Sequence, residues 1–181
     1  MKMIQLNDAQ YEVLDKGLVI TRLFDAPKEL VFKVWTEPEH IKNWWGPKPF
    51  TAPRAEVDLR PGGEYLYVMR TPEGQDLPPF QGKFIEVVQN EKIVFSIDAF
   101  RQAEVWKARI GHRVGADVDF STLQSFVTVK FEDAGEGTRL TFTQRFFNND
   151  VRDAIVEQGA ALGWISSLQK FADELARINK N

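Results

Sequence analysis

Residues 43–50 read NWWGPKPF, a dense patch of aromatic surface at a point where the chain breaks. Trp44 and Trp45 run straight into Gly46-Pro47. Adjacent side chains on a helix point about 100° apart, so the two rings serve different neighbours. Burying one tryptophan hides roughly 200 Å², worth up to about 5 kcal/mol. One ring therefore belongs to the core. The other either packs as well or forms a flat wall for a ligand to stack on, and the sequence leaves open which ring does which.

Ionisable candidates are fewer. Asp58 and Arg60 share a strand face two residues apart and read as a pair anchoring the Pro61-Gly62-Gly63 turn. Glu64 and Glu86 are the candidate inward carboxylates; burial against aromatic rings raises a carboxyl pKa and suits it to general-acid work. His40 and His112 show neither metal-ligand spacing nor a triad partner, so no metal is expected. PGGEY and AGEGT lack the lysine and spacing of a phosphate loop and read as turns. No cysteine is present, which excludes thiol catalysis, disulfides and thiolate metal sites.

These residues sit in a chain of 181 residues, a length that suits one domain with a substantial core. The net charge is −3 and no stretch concentrates Lys and Arg, so nucleic acid is not an expected partner. The N-terminus lacks the apolar core of a signal peptide, and no apolar run is long enough to span a bilayer. A cytoplasmic location without membrane contact is the expectation.

Patterning supplies the elements. Residues 1–16 read as a leader or a short packed extension. LVITRLFD is a strand, with Asp25 as the expected cap of a helix over ELVFKVW. Thr36 and Glu39 stand at capping-box spacing for a second short helix that Gly46-Pro47 ends. Alternating strands follow at Phe50–Arg60, Glu64–Arg70, Phe80–Val88, Lys92–Phe100, Gln124–Asp133 and Thr138–Phe147. Asp150–Ile178 carries a continuous apolar stripe and is expected as one long helix. Hairpin-connected strands imply an antiparallel sheet, and that helix must cover its apolar face: an α+β domain. About 24 residues between the fifth and sixth of these strands break the pattern. There Phe100, Ala103, Trp106 and Ile110 share helical spacing as far as Gly111, alongside Arg101, Lys107, Arg109, His112 and Arg113.

Four of these stretches occur in a familiar order: ITRLFDAPKELVFKVWTEPEHIKNWWGP, EVDLRPGG, TRLTFTQRF and GWISSLQKFADEL. Together they resemble the domain family named for the activator of the ninety-kilodalton heat-shock chaperone's ATPase. That family lies in the START-like (SRPBCC) helix-grip superfamily with the birch-pollen allergen type. The resemblance covers residues 17–178 and implies a curved antiparallel sheet of about six to seven strands gripping the C-terminal helix, with a cavity between them. Two departures stand out. The segment 99–123 is a longer insertion than the family pattern, and Ala160 stands where many members carry a histidine one turn before the helix tryptophan.

On that fold the expected cavity residues are Trp44, Trp45, Tyr65, Tyr67, Phe95, Phe126, Phe142, Trp164 and Leu168. Phe100, Trp106, Arg109 and His112 form the expected lid. The simpler reading of each ring is as one piece of a phenylalanine-rich core. The basic insertion reads as a grip for an anionic ligand or acidic partner, or more simply as a solvated helix face or a dimer contact. The leading expectation is non-catalytic binding of a small hydrophobic or aromatic molecule, with no cofactor, by a monomer or homodimer. A chaperone accessory is the alternative. An enzyme of the cyclase or hydrolase kind, using a buried carboxylate and a tyrosine, is third.

Overall fold

The computed structural model describes residues 3–6 and 8–179. Its elements run β1 (Met3–Leu6), β2 (Ala9–Leu14), β3 (Gly17–Phe24), α1 (Lys28–Thr36), α2 (Pro38–Trp44), β4 (Thr51–Val57), β5 (Glu64–Arg70), β6 (Phe80–Val88) and β7 (Lys92–Ile97). A 3-10 turn (Ala99–Gln102) and α3 (Ala103–Ile110) follow, then β8 (Ser125–Ala134), β9 (Gly137–Arg145), α4 (Asn149–Glu157) and α5 (Ala160–Ile178). The strands form a single antiparallel sheet in the order β1-β2-β3-β9-β8-β7-β6-β5-β4. Nine strands are present among the described residues, more than the six to seven expected. The extra pair comes from the N-terminal stretch, where β2 pairs with β3 from Ala9↔Arg22 to Leu14↔Gly17.

Strand alternation sorts the sheet into two faces. On β3, Leu18, Ile20 and Phe24 are buried while Leu23 is 59% exposed. The inner face is covered by α1, α2 and α5, whose aromatic residues meet it directly: Phe24 lies 5.1 Å from Phe171, and Phe32 lies 5.3 Å from Phe131. Phe171 and Leu168 on α5 are fully buried. This is the helix-grip arrangement, with α5 held in the sheet.

Three expectations about the helices are corrected. Asp25 does not cap α1; Pro27 occupies that position and its carbonyl accepts from Leu30 N and Val31 N. Thr36 makes no capping box, because its hydroxyl is already donated to Phe32 O at 2.9 Å within the preceding helix. The expected single C-terminal helix is two. Gly159 has φ 90°, a left-handed conformation that costs a glycine little and breaks the rod between α4 and α5.

Polar clamps fix α5 against the early helices. Glu174, 4% exposed, accepts from His40 Nδ1 (2.9 Å), Asn43 Nδ2 (3.0 Å) and Arg177 Nε (2.8 Å). Chiefly through the Arg177 bond, and against the opposing effect of burial, its pKa falls to about 2. One turn earlier, the Lys170 ammonium donates to three backbone carbonyls, those of Trp45, Gly46 and Phe50. Burial, reinforced by nearby Lys48, holds its pKa below the usual lysine value. This clamp satisfies carbonyls left open where α2 ends and the chain turns at Gly46, whose φ is 83°.

Candidate functional site

The interface between sheet and helices has a sealed half and an open half, and the tryptophan pair stands at their boundary. Trp44 belongs to the sealed half. It is 1% exposed, packs 4.9 Å from Trp35 and 5.1 Å from Phe171, and donates its indole N–H to Val34 O at 2.9 Å. Trp45 faces the other way, 5.2 Å from Trp164 and 5.1 Å from Phe80. Its Nε1 is closed off from solvent and has no hydrogen-bond partner among the described residues.

Beyond Trp45 lies a cavity of about 540 Å³. Its helix side is built by Trp164, Gly163 and Ala160 on α5 and by Val151 and Ile155 on α4. Pro47 and Met69 close one end, and Val105, Trp106 and Arg109 from α3 close the mouth. Gly163 matters for the volume: a Cβ there would meet only Pro47 Cγ, at 4.0 Å. Ala160, where the family resemblance implied a histidine, lines the same wall.

The sheet side carries a polar row beside the apolar Phe80, Ile97 and Phe146. Asp98, just past β7, is buried; it accepts from Gln124 Nε2 (2.7 Å) and from Arg101 Nε (3.3 Å). Next to them, buried Gln144 on β9 donates Nε2 to Ser125 Oγ at 3.0 Å. Gln81 on β6 joins the row, its carbonyl accepting from Asp98 N at 3.0 Å. Gln102 donates to Pro79 O, and Gln158 donates to Arg109 O at 2.7 Å, tying the insertion to the rest. Gln81, Asp98, Gln102, Gln124, Gln144 and Gln158 all line the cavity.

The structure separates the sequence candidates. Trp45, Trp164, Trp106 and Arg109 line the cavity. Phe142 backs it, with its ring 4.3 Å from Trp164. Trp44, Leu168, Tyr65, Tyr67 and Phe95 do not reach it. The two tyrosines and Phe95 pack instead in an aromatic cluster behind Trp45, around a void of about 10 Å³. Tyr65 donates its hydroxyl to Ser96 O at 2.7 Å, and burial pushes the pKa of both tyrosines up. Phe126 lies on the wrong face: its neighbours Ser125 and Val127 point inward, so it points outward and is 45% exposed. Phe100 and His112 are exposed and lie outside the lining.

The ionisable expectations fare similarly. Glu64 and Glu86 are on the surface, paired with Arg101 at 2.9 Å and Lys92 at 2.7 Å, so neither is an inward carboxylate. Arg60 Nε does reach Asp58 Oδ1, at 3.0 Å. In the insertion, Arg101 is held by Glu64 and Asp98 and Arg113 by Glu157, while the Arg109 guanidinium lies 5.0 Å above the Trp106 ring. Two of the four basic side chains of the insertion are therefore paired with acids. The polar row was missed from sequence, although one signal was present: Gln144 shares parity with Phe142 and Phe146, both buried. Among the described residues there is no metal-binding cluster and no helix long and apolar enough to cross a membrane.

Known proteins share this framework. A protein from Nitrosomonas europaea is 26% identical, with a TM-score of 0.73 over 94% of this chain and 100% of its own. The AHSA1 protein from Silicibacter pomeroyi is 25% identical, with a TM-score of 0.64 over 88% of this chain and 97% of that one. A Rhodobacter sphaeroides protein at 17% identity and TM-score 0.74 covers 93% and 98%, and shows the fold alone. No protein of curated function matches the chain. Residues 25–176 match the family model for Activator of Hsp90 ATPase homolog 1-like protein, and by that match over most of its length the chain belongs to this family.

Proposed function

We propose that the chain binds a small apolar or aromatic molecule in the cavity between sheet and helices, and holds it without transforming it. The observation that carries this reading is the cavity itself, walled by Trp45, Trp106 and Trp164 and about 540 Å³ in volume. That size falls within the roughly 300–1,000 Å³ of ligand pockets. It opens to solvent beside Val105 and Arg109, both exposed. Water or a ligand must fill it, and three tryptophan faces favour an apolar occupant. Arg109 and Trp106 of α3 stand at the mouth, where the insertion serves as a lid.

Native mass spectrometry of freshly purified protein, repeated after denaturation, tests the reading. An adduct lost on denaturation identifies the ligand class. A bare mass that stays bare on titration with apolar aromatic compounds removes the proposal.

The family match supports a second reading, a chaperone accessory. Stimulation of a ninety-kilodalton heat-shock protein's ATPase by the purified chain is the measurement that would favour it. An enzyme built on a buried carboxylate and a tyrosine keeps only one of its two parts: Asp98 is buried on the lining, but Glu64 and Glu86 lie at the surface and Tyr65 and Tyr67 stand outside the cavity.

A further inference from the structure

The polar row on the sheet side of the cavity has a direction. Gln124 Nε2 is bonded to a carboxylate, and the amide nitrogens of Gln102 and Gln158 are bonded to backbone carbonyls. None of those acceptors carries a hydrogen, so chemistry fixes the orientation of each amide: nitrogen toward the protein, oxygen away from that bond. Gln144 places its nitrogen on Ser125 Oγ, a hydroxyl that can itself donate, so its direction follows from the placed geometry alone. Among the described residues, no donor reaches the Oε1 of Gln124 or Gln144. Each such oxygen offers two lone pairs, and the Asp98 carboxylate beside them adds its remaining ones.

The opposite wall has the opposite character. Trp45, Trp164, Gly163 and Ile155 offer no acceptor from their side chains, and the one cation on the lining, Arg109, lies at the mouth over Trp106. The open acceptors thus cluster at the strand ends, beside apolar Ile97 and Phe146, while the aromatic faces lie on the helix side, where Ser167 gives its hydroxyl to Gly163 O and Gln158 its amide to Arg109 O. Neither glutamine oxygen is among the buried atoms left without a partner, so water reaches both; an occupant that displaces this water has to bring donors to the sheet side in its place.

We infer that the ligand has a flat apolar body bearing a hydroxyl or N–H donor, which it presents to Asp98, Gln124 and Gln144 while its body lies against Trp45 and Trp164. The inference rests on the binding function proposed above and narrows its ligand class. It disfavours ligands whose polar end is a carboxylate, because a second anion beside Asp98 is repelled.

Three probes sharing one body separate the possibilities: hydroxypyrene, methoxypyrene and pyrenecarboxylate, each brought to equilibrium by dialysis against the full chain at neutral pH. The expected order is hydroxypyrene bound about tenfold more tightly than methoxypyrene, with pyrenecarboxylate weakest. Gln144→Leu, and separately Gln124→Leu should the first fail to fold, is expected to narrow the hydroxyl-to-methoxyl gap to about threefold or less. Equal binding of all three, or a preference for the carboxylate, overturns the donor inference and leaves the cavity reading intact. Retention of none of the three overturns both.

Discussion

Two tryptophans at the sheet–helix interface live in different environments. Trp44, in the sealed half, has rings on its sides and its N–H bonded to Val34 O. Trp164, in the open half, packs Phe142 and Trp45 but lines the cavity with the rest of its surface; Trp45 joins the two regions. One half of the sheet–helix interface is thus built for stability and the other for space. The difference lies in what covers the sheet. Opposite the sealed half, α1, α2 and the C-terminal turns of α5 present Phe32, Trp35 and Phe171. Opposite the open half, α5 presents Gly163 and Ala160, and the chain breaks at Gly159.

Truncating a ring in each half breaks the comparison most severely. Trp44→Ala is expected to cost about 3–5 kcal/mol in urea unfolding, since it leaves a cavity in packed surroundings. Trp164→Ala should cost only about 1–2 kcal/mol, because much of its surface already faces space, yet weaken binding of apolar probes. Equal costs would mean that the open half is as closely packed as the sealed one.

Next comes the clamp on the sealed half. Glu174→Gln is expected to lose on the order of 2–3 kcal/mol near neutral pH, with Arg177 and His40 left short of their shared anion. The pH dependence has a definite sign. The folded pKa, about 2, lies below the ordinary value of 4.5, so the stabilisation is fully present above 4.5 and fades as pH falls toward 2. Wild-type and variant stabilities should therefore converge on acidification through that window; a gap that stays constant would show the carboxylate's charge to be irrelevant.

A smaller and opposite effect is expected at Gly163. Glycine inside a helix costs about 1 kcal/mol relative to alanine, and the site has room for a Cβ. Gly163→Ala should therefore raise stability by about that amount in thermal unfolding, while Gly163→Leu should reduce probe binding at least about tenfold by occupying the cavity. The smallest effect belongs to the outer face. Phe126→Ser is expected to change stability by no more than about 0.5 kcal/mol and leave binding untouched.

The architecture was legible where a residue's role follows from its own neighbours in sequence. The strand Glu64–Arg70 and the strand Phe80–Val88 were read to their ends, because alternation and turn residues are local signals. The insertion's helix likewise stops at Ile110, before Gly111, as its spacing implied. The break at Gly159 stayed hidden, since Val156, Ala160 and Trp164 keep a four-residue step straight across it. Residues 1–16 read as either a leader or a packed extension, because the burial of Ala9–Leu14 depends on pairing with β3.

The site was the harder part. Asp98, Gln124 and Gln144 come from three separate segments and meet only through the register of β7, β8 and β9. No single stretch announces them. Phe126 failed for the reverse reason: its type suggested the interior, while its parity with Ser125 and Val127 put it outside.

The row of indoles has an optical consequence. Trp35, Trp44, Trp45 and Trp164 follow one another at ring separations of 4.9, 5.7 and 5.2 Å. Dipolar coupling between neighbouring chromophores falls steeply with distance, so at these spacings light absorbed by one ring is passed along to the next. Excitation that begins in the sealed half thus has a route to the cavity wall. A quencher touching Trp164 alone drains emission from the entire series, and the protein carries in its own packing an amplifier for whatever the cavity holds.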